Sequence, residues 1–155
     1  TEALLFMTAR YDHLHTHILP ALARGAWVLC DRFYDSTYVY QGVAKGVGEA
    51  WLNQLYNHLY GNAGPELTLL LDIAPLEGLA RAASRASGEA RFEAMGEAYH
   101  TRVREGFLAR AAAEPQRFAV LDATHAIERL HSDVLTTINA RYGLQLTPSA
   151  DEGAA

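Results

Sequence analysis

Asp31 and Arg32 close an apolar run, Ala26-Trp27-Val28-Leu29-Cys30, and the aromatic, hydroxyl-rich stretch Phe33-Tyr34-Asp35-Ser36-Thr37 follows them. A short apolar run of this kind predicts a strand over 26–30, buried on both faces of a parallel sheet. Ligands of open α/β sheets bind in the crevice beyond the carboxyl ends of the strands. A carboxylate and a guanidinium at that place are therefore candidates for a site rather than for a surface ion pair.

Other chemistry-bearing residues are read more plainly. His13 and His17 stand one helical turn apart with His15 between them. The zinc-protease pattern needs Glu directly after the first His, and position 14 is Leu, so they read as solvated helix histidines. Cys30 is alone, which excludes an internal disulfide and a Cys-based zinc site, and inside an apolar run it behaves as a small hydrophobe. Gly42, Gly46 and Gly48 imply a loop with unusual backbone angles. No Lys-Ser or Lys-Thr follows them, so they are not a phosphate-cradling loop. No metal-ligating residues are expected.

The elements that must position Asp31 and Arg32 alternate helix with strand. Leu4, Leu5, Tyr11, Leu14, Ile18, Leu19 and Leu22 predict one buried helix face over 1–24, with Pro20 as a kink or new turn and Gly25 as its stop. A helix over 35–43, capped by Asp35 or Ser36, another over 49–59, and a turn at 61–65 come next. Residues 67–73 predict a second buried strand and 118–122 a third, short one, each carrying an Asp near its end, Asp72 and Asp122. Helices are expected over 75–84, 93–113 and 126–142, with a flexible stretch over 84–90 and a frayed tail from 147. Such alternation gives an α/β fold with a parallel sheet.

Composition agrees with a single domain. The 155 residues are 50% hydrophobic and 20% charged, with net charge −5, which suits a globular chain with a substantial core. The shortage of positive charge argues against a nucleic-acid surface, which needs clustered Lys and Arg. It leaves room for a small phosphorylated ligand, for which a few placed arginines suffice. No apolar stretch is long enough to cross a bilayer and no secretory pattern opens the chain, so no membrane partner and a cytoplasmic location are expected.

Taken together, these residues resemble the bacterial type of thymidylate kinase. Leu4-Leu5-Phe6 with Arg10 is similar to that family's Leu-Leu-Phe-x-x-x-Arg site. Asp31-Arg32-Phe33 resembles its Asp-Arg-Tyr/Phe/His motif, and Ser36-Thr37-x-x-Tyr40-Gln41-Gly42 its continuation. Leu69-Leu70-Leu71-Asp72 with Pro75, Gly78-Leu79 and Arg81 is similar to the next strand and helix. Arg85, Arg91, Phe92 and Glu93 resemble the lid; Tyr99-His100-x-Arg102-Val103-Arg104 and Val120-Leu121-Asp122-Ala123 also fit. The likeness runs over about 1–142.

The resemblance implies a P-loop NTPase-like, three-layer α/β/α fold with a parallel sheet, lacking its first strand, phosphate loop and first helix. It implies a partial nucleoside-monophosphate kinase domain over 1–146, a lid at about 84–97 and a disordered tail over 147–155. The activity implied is ATP + dTMP → ADP + dTDP with Mg²⁺, from a homodimer paired through helix 1–24. Phe6 would stack on the pyrimidine, Arg10 would reach thymine O4, and Thr37 and Gln41 would bond the base edge. Tyr40 would crowd the sugar 2′ position, and Arg32 would fork the 5′-phosphate. Asp31 would either orient Arg32 or sit near the metal and the attacking phosphate oxygen. Arg85 and Arg91 would close over the triphosphate as lid arginines, while Asp72 and Asp122 would be structural. The lid departs from the family's Asp-Arg-x-Glu, since Ala90 stands where that Asp would be. Without the phosphate loop the 155 residues are expected to be inactive alone. Another nucleoside-monophosphate or deoxynucleoside kinase, and a non-catalytic dimerising module, are the alternatives.

Overall fold

The structure, a computed structural model, describes residues 2–84 and 95–148. It divides into two compact units, one built from residues up to Pro65 with Gly96–Arg110, the other from Glu66–Met95 and from Ala111 onward.

The first unit opens with α1 (Glu2–His13), a π-helical turn (Leu14–Ile18) and α2 (Leu19–Ala23), an unbroken helical rod. The π-turn has a local cause. Pro20 has no N–H, and its ring would clash with the carbonyl four residues back, so the preceding turn widens. Gly25, at φ 78°, turns the chain out of α2 as expected. The buried face differs from the expected one. Ala3, Met7 and Leu14 are buried, with Ile18 and Leu19 packed beside them, while Leu5 is 66% and Leu22 50% exposed. Three- and four-residue spacing fits both stripes of this apolar rod, and only the Ala3–Met7–Leu14 stripe meets a neighbour within the unit.

Residues 26–30 are not a strand, which corrects the first expectation. They run without regular structure, and Trp27 is 67% and Leu29 96% exposed. A strand exists only through its ladder partners, and no described residue forms a ladder with this stretch.

The next helix begins at Tyr34, as α3 (Tyr34–Thr37), and continues as a π-helical segment (Tyr38–Val43). Neither Asp35 nor Ser36 caps it; Phe33 occupies that place without a side-chain bond. Gly42 lies inside the helical run rather than in a loop, and the tight approach of Leu52, 2.9 Å from where a Cβ would stand, accounts for a glycine there. Gly46 and Gly48, at φ 69° and 106°, do carry the expected loop into α4 (Glu49–Tyr60). The core joins Met7, Leu14, Tyr34 and Tyr60, and Tyr34 stacks on Tyr56 at 3.8 Å between ring centres. A second cluster joins Val39 to Tyr99 and Val103 of α6 (Glu97–Ala113), numbered after α5 below. Each fully buried aliphatic side chain contributes about 1.5–3 kcal/mol.

In the second unit, β1 (Thr68–Asp72) pairs in parallel with β2 (Phe118–Asp122), Thr68 facing Phe118 and Asp72 facing Asp122. The α/β, parallel reading holds for these two strands. Their burial is partial, with Leu71 51% exposed, so β1 is not the buried strand expected. Pro75 opens α5 (Pro75–Ser84), and α7 (Ile127–Tyr142) ends on Gly143 in the left-handed region. Arg81 on α5 donates to the carbonyls of Ala123 and Thr124 beyond β2, tying strand end to helix. Among the described residues no helix is long and apolar enough to cross a membrane.

Candidate functional site

Arg32 is the sole described residue other than glycine with positive φ, at 61°. That region costs a side-chain-bearing residue about 1–2 kcal/mol, so the surroundings must hold it there. They do so from α3 and its π-helical continuation. Arg32 Nε donates to Ser36 Oγ at 3.3 Å, and the guanidinium lies 4.7 Å from the Tyr40 ring centre. Ser36 and Tyr40 are one turn apart and thus share a face. The left-handed corner directs the chain from the extended 26–30 stretch into this helix while leaving the guanidinium on the helix's flank.

Arg10 reaches the same helix from α1. Its guanidinium sits 5.4 Å from the Phe6 ring, and Nη1 donates to Thr37 Oγ1. Thr37 is fully buried and Gln41, one turn on, is 3% exposed. Burial pushes the Arg10 pKa down, the electrostatic influence of Tyr60 opposes this, and the like charge of Arg32 adds to the lowering. The two guanidinium groups are therefore within electrostatic reach of one another. Phe6, at 40% exposed, leaves a flat apolar face open beside it. Cys30, partly buried, donates a weak bond to the Arg32 carbonyl at 3.9 Å, and burial raises its thiol pKa. This suits a supporting role.

The structure thus brings together Phe6, Arg10, Arg32, Thr37, Tyr40 and Gln41. Asp31 is exposed and forms no hydrogen bond or ion pair with any described residue, so Ser36 and Tyr40 orient Arg32 instead. Arg85, Arg91 and Phe92 lie outside the described residues. Asp122 accepts from the Thr124 hydroxyl and backbone N–H at 2.6 and 2.9 Å, bonds that draw its pKa down and close a local turn. That matches its expected structural role. Asp72 sits at the equivalent end of β1, where its carbonyl accepts from the Ala123 N–H.

One partnership had no signal in the sequence. Arg110 donates to Asp35 at 2.9 Å, with both side chains largely buried, and its guanidinium lies over the Tyr34 and Tyr38 rings at 5.4 and 4.6 Å. Seventy-five residues separate the pair, and no periodicity links positions that far apart. Among the described residues no group of three or more His, Cys, Asp or Glu could hold a metal ion.

Chemically, the arrangement offers two positive forks and two aromatic faces, the requirements of a planar ring joined to an anion. Comparison with known proteins points the same way. The thymidylate kinase family model matches residues 1–134. A thymidylate kinase of Magnetococcus marinus is 43% identical over 142 residues, covering 92% of this chain and 68% of that protein. One from Syntrophus aciditrophicus is 45% identical over 139 residues, covering 86% and 64%. One from Pseudomonas fluorescens is 48% identical over 134 residues, covering 86% and 63%. The chain spans between 63% and 68% of the length of these three relatives.

Proposed function

Because the chain belongs to the thymidylate kinase family, we propose that Phe6, Arg10, Arg32, Thr37, Tyr40 and Gln41 form the acceptor half of a dTMP kinase. The reaction is ATP + dTMP → ADP + dTDP. The observation that carries this is the convergence of Arg10 and Thr37 with Arg32 and Tyr40 on one helix face. Phosphoryl transfer depends mostly on positioning and on neutralising spread charge, and these residues supply both for the acceptor. Phe6 stacks on the pyrimidine, and Arg10 donates to thymine O4 while Thr37 and Gln41 hold the base edge. Tyr40 crowds the sugar, and Arg32 takes the 5′-phosphate in its fork.

The donor side is thinner. The sequence contains no Gly-x-x-x-x-Gly-Lys-Ser/Thr, and its single lysine, Lys45, is paired with Glu2 at 2.6 Å. These 155 residues, which carry no such motif, are therefore expected to bind dTMP without transferring phosphate by themselves, in a P-loop NTPase-like fold. Arg85 and Arg91 serve there as lid arginines. Mg²⁺ usually binds through one or two carboxylates plus substrate phosphates, and the unpaired Asp31 carboxylate fits that limited donor set. The ion would neutralise charge developing between the phosphates. Pairing of two copies through the outer stripe of the helical rod, where Leu4, Leu5, Tyr11 and Leu22 are exposed, completes the proposal.

Base choice tests it. Arg10 offers a donor, which meets an acceptor at thymine O4 but another donor, the amino group, in dCMP. Calorimetric titration should give dTMP at least tenfold tighter than dCMP, with Arg10→Ala erasing the difference. Equal affinity of the wild-type chain for both would sink the assignment.

A further inference from the structure

Tyr99 Oη is the one buried side-chain oxygen or nitrogen among the described residues with no hydrogen-bond partner. The residue is 3% exposed, in the first turns of α6. Burying a hydroxyl without a partner is costly, and packing alone does not call for it, since phenylalanine would fill the same space. The ring belongs to the cluster of Val39 and Val103, against which Tyr40 also packs. Tyr40 is the residue whose ring carries the Arg32 guanidinium at 4.7 Å. The cluster that holds the orphaned hydroxyl therefore packs against the ring that carries the proposed phosphate fork, and Arg32 is within electrostatic reach of the hydroxyl. Burial raises its pKa, and the neighbouring phenol of Tyr40 and carboxylate of Glu2 add to the rise, while Arg102 and Arg32 oppose it. At neutral pH it is a protonated donor lacking an acceptor.

A phosphate held by Arg32 would bring acceptor oxygens to this neighbourhood, and a donor already desolvated loses no water in meeting them. We propose that Tyr99 Oη donates a hydrogen bond to the acceptor's phosphate beside Arg32, making it a further binding residue of this site. The proposal rests on the acceptor-site assignment above, and it makes α6 part of the phosphate end of the pocket rather than packing alone.

Tyr99→Phe removes one oxygen and keeps the ring. Affinities of the wild-type chain and the variant for dTMP and for thymidine, which lacks the phosphate, separate the possibilities. The variant should bind dTMP on the order of tenfold more weakly and thymidine equally well. The ratio of the two affinities on the same protein cancels any change in folded fraction. Unchanged dTMP affinity would mean that the hydroxyl serves only a buried water, and parallel loss for both ligands would mean a packing role; either result overturns the proposal. A wild-type chain that binds thymidine but not dTMP overturns it as well. A chain that binds neither overturns the acceptor-site assignment itself, and this inference with it.

Discussion

Arg32 pays for its place in backbone conformation. At φ 61° any residue with a Cβ is strained, and the Ser36 bond and the Tyr40 ring offset part of that cost. Comparing two substitutions separates the terms. Arg32→Ala keeps the strain and loses the contacts; Arg32→Gly loses the contacts and the strain together. The glycine variant should be more stable than the alanine variant by about 1–2 kcal/mol in urea titrations, although both lose the phosphate fork. Equal stability would mean that the left-handed corner is not strained.

At the scale of elements, the α3 helix is anchored by a pair that local sequence could not reveal. Asp35 and Arg110 are both largely buried and bonded at 2.9 Å. Breaking a largely buried ion pair is destabilising, so Asp35→Ala should cost up to about 3–5 kcal/mol, and Asp35→Leu with Arg110→Met should recover most of it. A small loss in the single variant would show that water reaches the site. The aromatic group beside it gives a pH signature. Burial pushes the Tyr60 hydroxyl, which donates to the Met7 carbonyl at 2.6 Å, up to about 12 from 10. Between those values the unfolded chain has lost a proton that the folded chain keeps. Stability is therefore fully present below pH 10 and is lost as pH rises through about 12. Tyr60→Phe should flatten that alkaline decline, a difference that denaturant titrations at several pH values would register.

The same scale explains which elements were legible. Helices 49–60 and 75–84 and strand 118–122 carry their own periodicity and punctuation, and they appear within a residue of expectation. Gly25, Gly46 and Gly48 announced their turns because a positive φ has few other tenants. The 26–30 stretch misled because an apolar run records an appetite for burial, not a partner. The inner stripe of the first helix misled for a related reason: Leu4, Leu5 and Leu22 are as apolar as Met7 and Leu14, and only tertiary packing chooses between them. Motif resemblance named the candidate site residues, whereas the Ser36 bond, the Arg110 anchor and the partnerless Tyr99 hydroxyl depend on three-dimensional neighbours.

For the whole molecule, the proposed pairing rests on the apolar outer stripe of the helical rod. Leu5 is 66% exposed beside Leu4 at 48%, the kind of apolar surface that the proposed pairing would cover. Leu5→Glu should shift sedimentation from dimer to monomer without lowering helix content. A wild-type chain that sediments as a monomer at micromolar concentration would rule the pairing out. The central claim, that Arg10 and Arg32 frame a nucleotide acceptor site, is tested most directly by titrating dTMP into the 155-residue chain and its Arg32→Ala variant. The account predicts saturable binding by the wild-type chain, weakened at least tenfold in the variant. No binding by the wild-type chain, or equal affinity in both proteins, would contradict it.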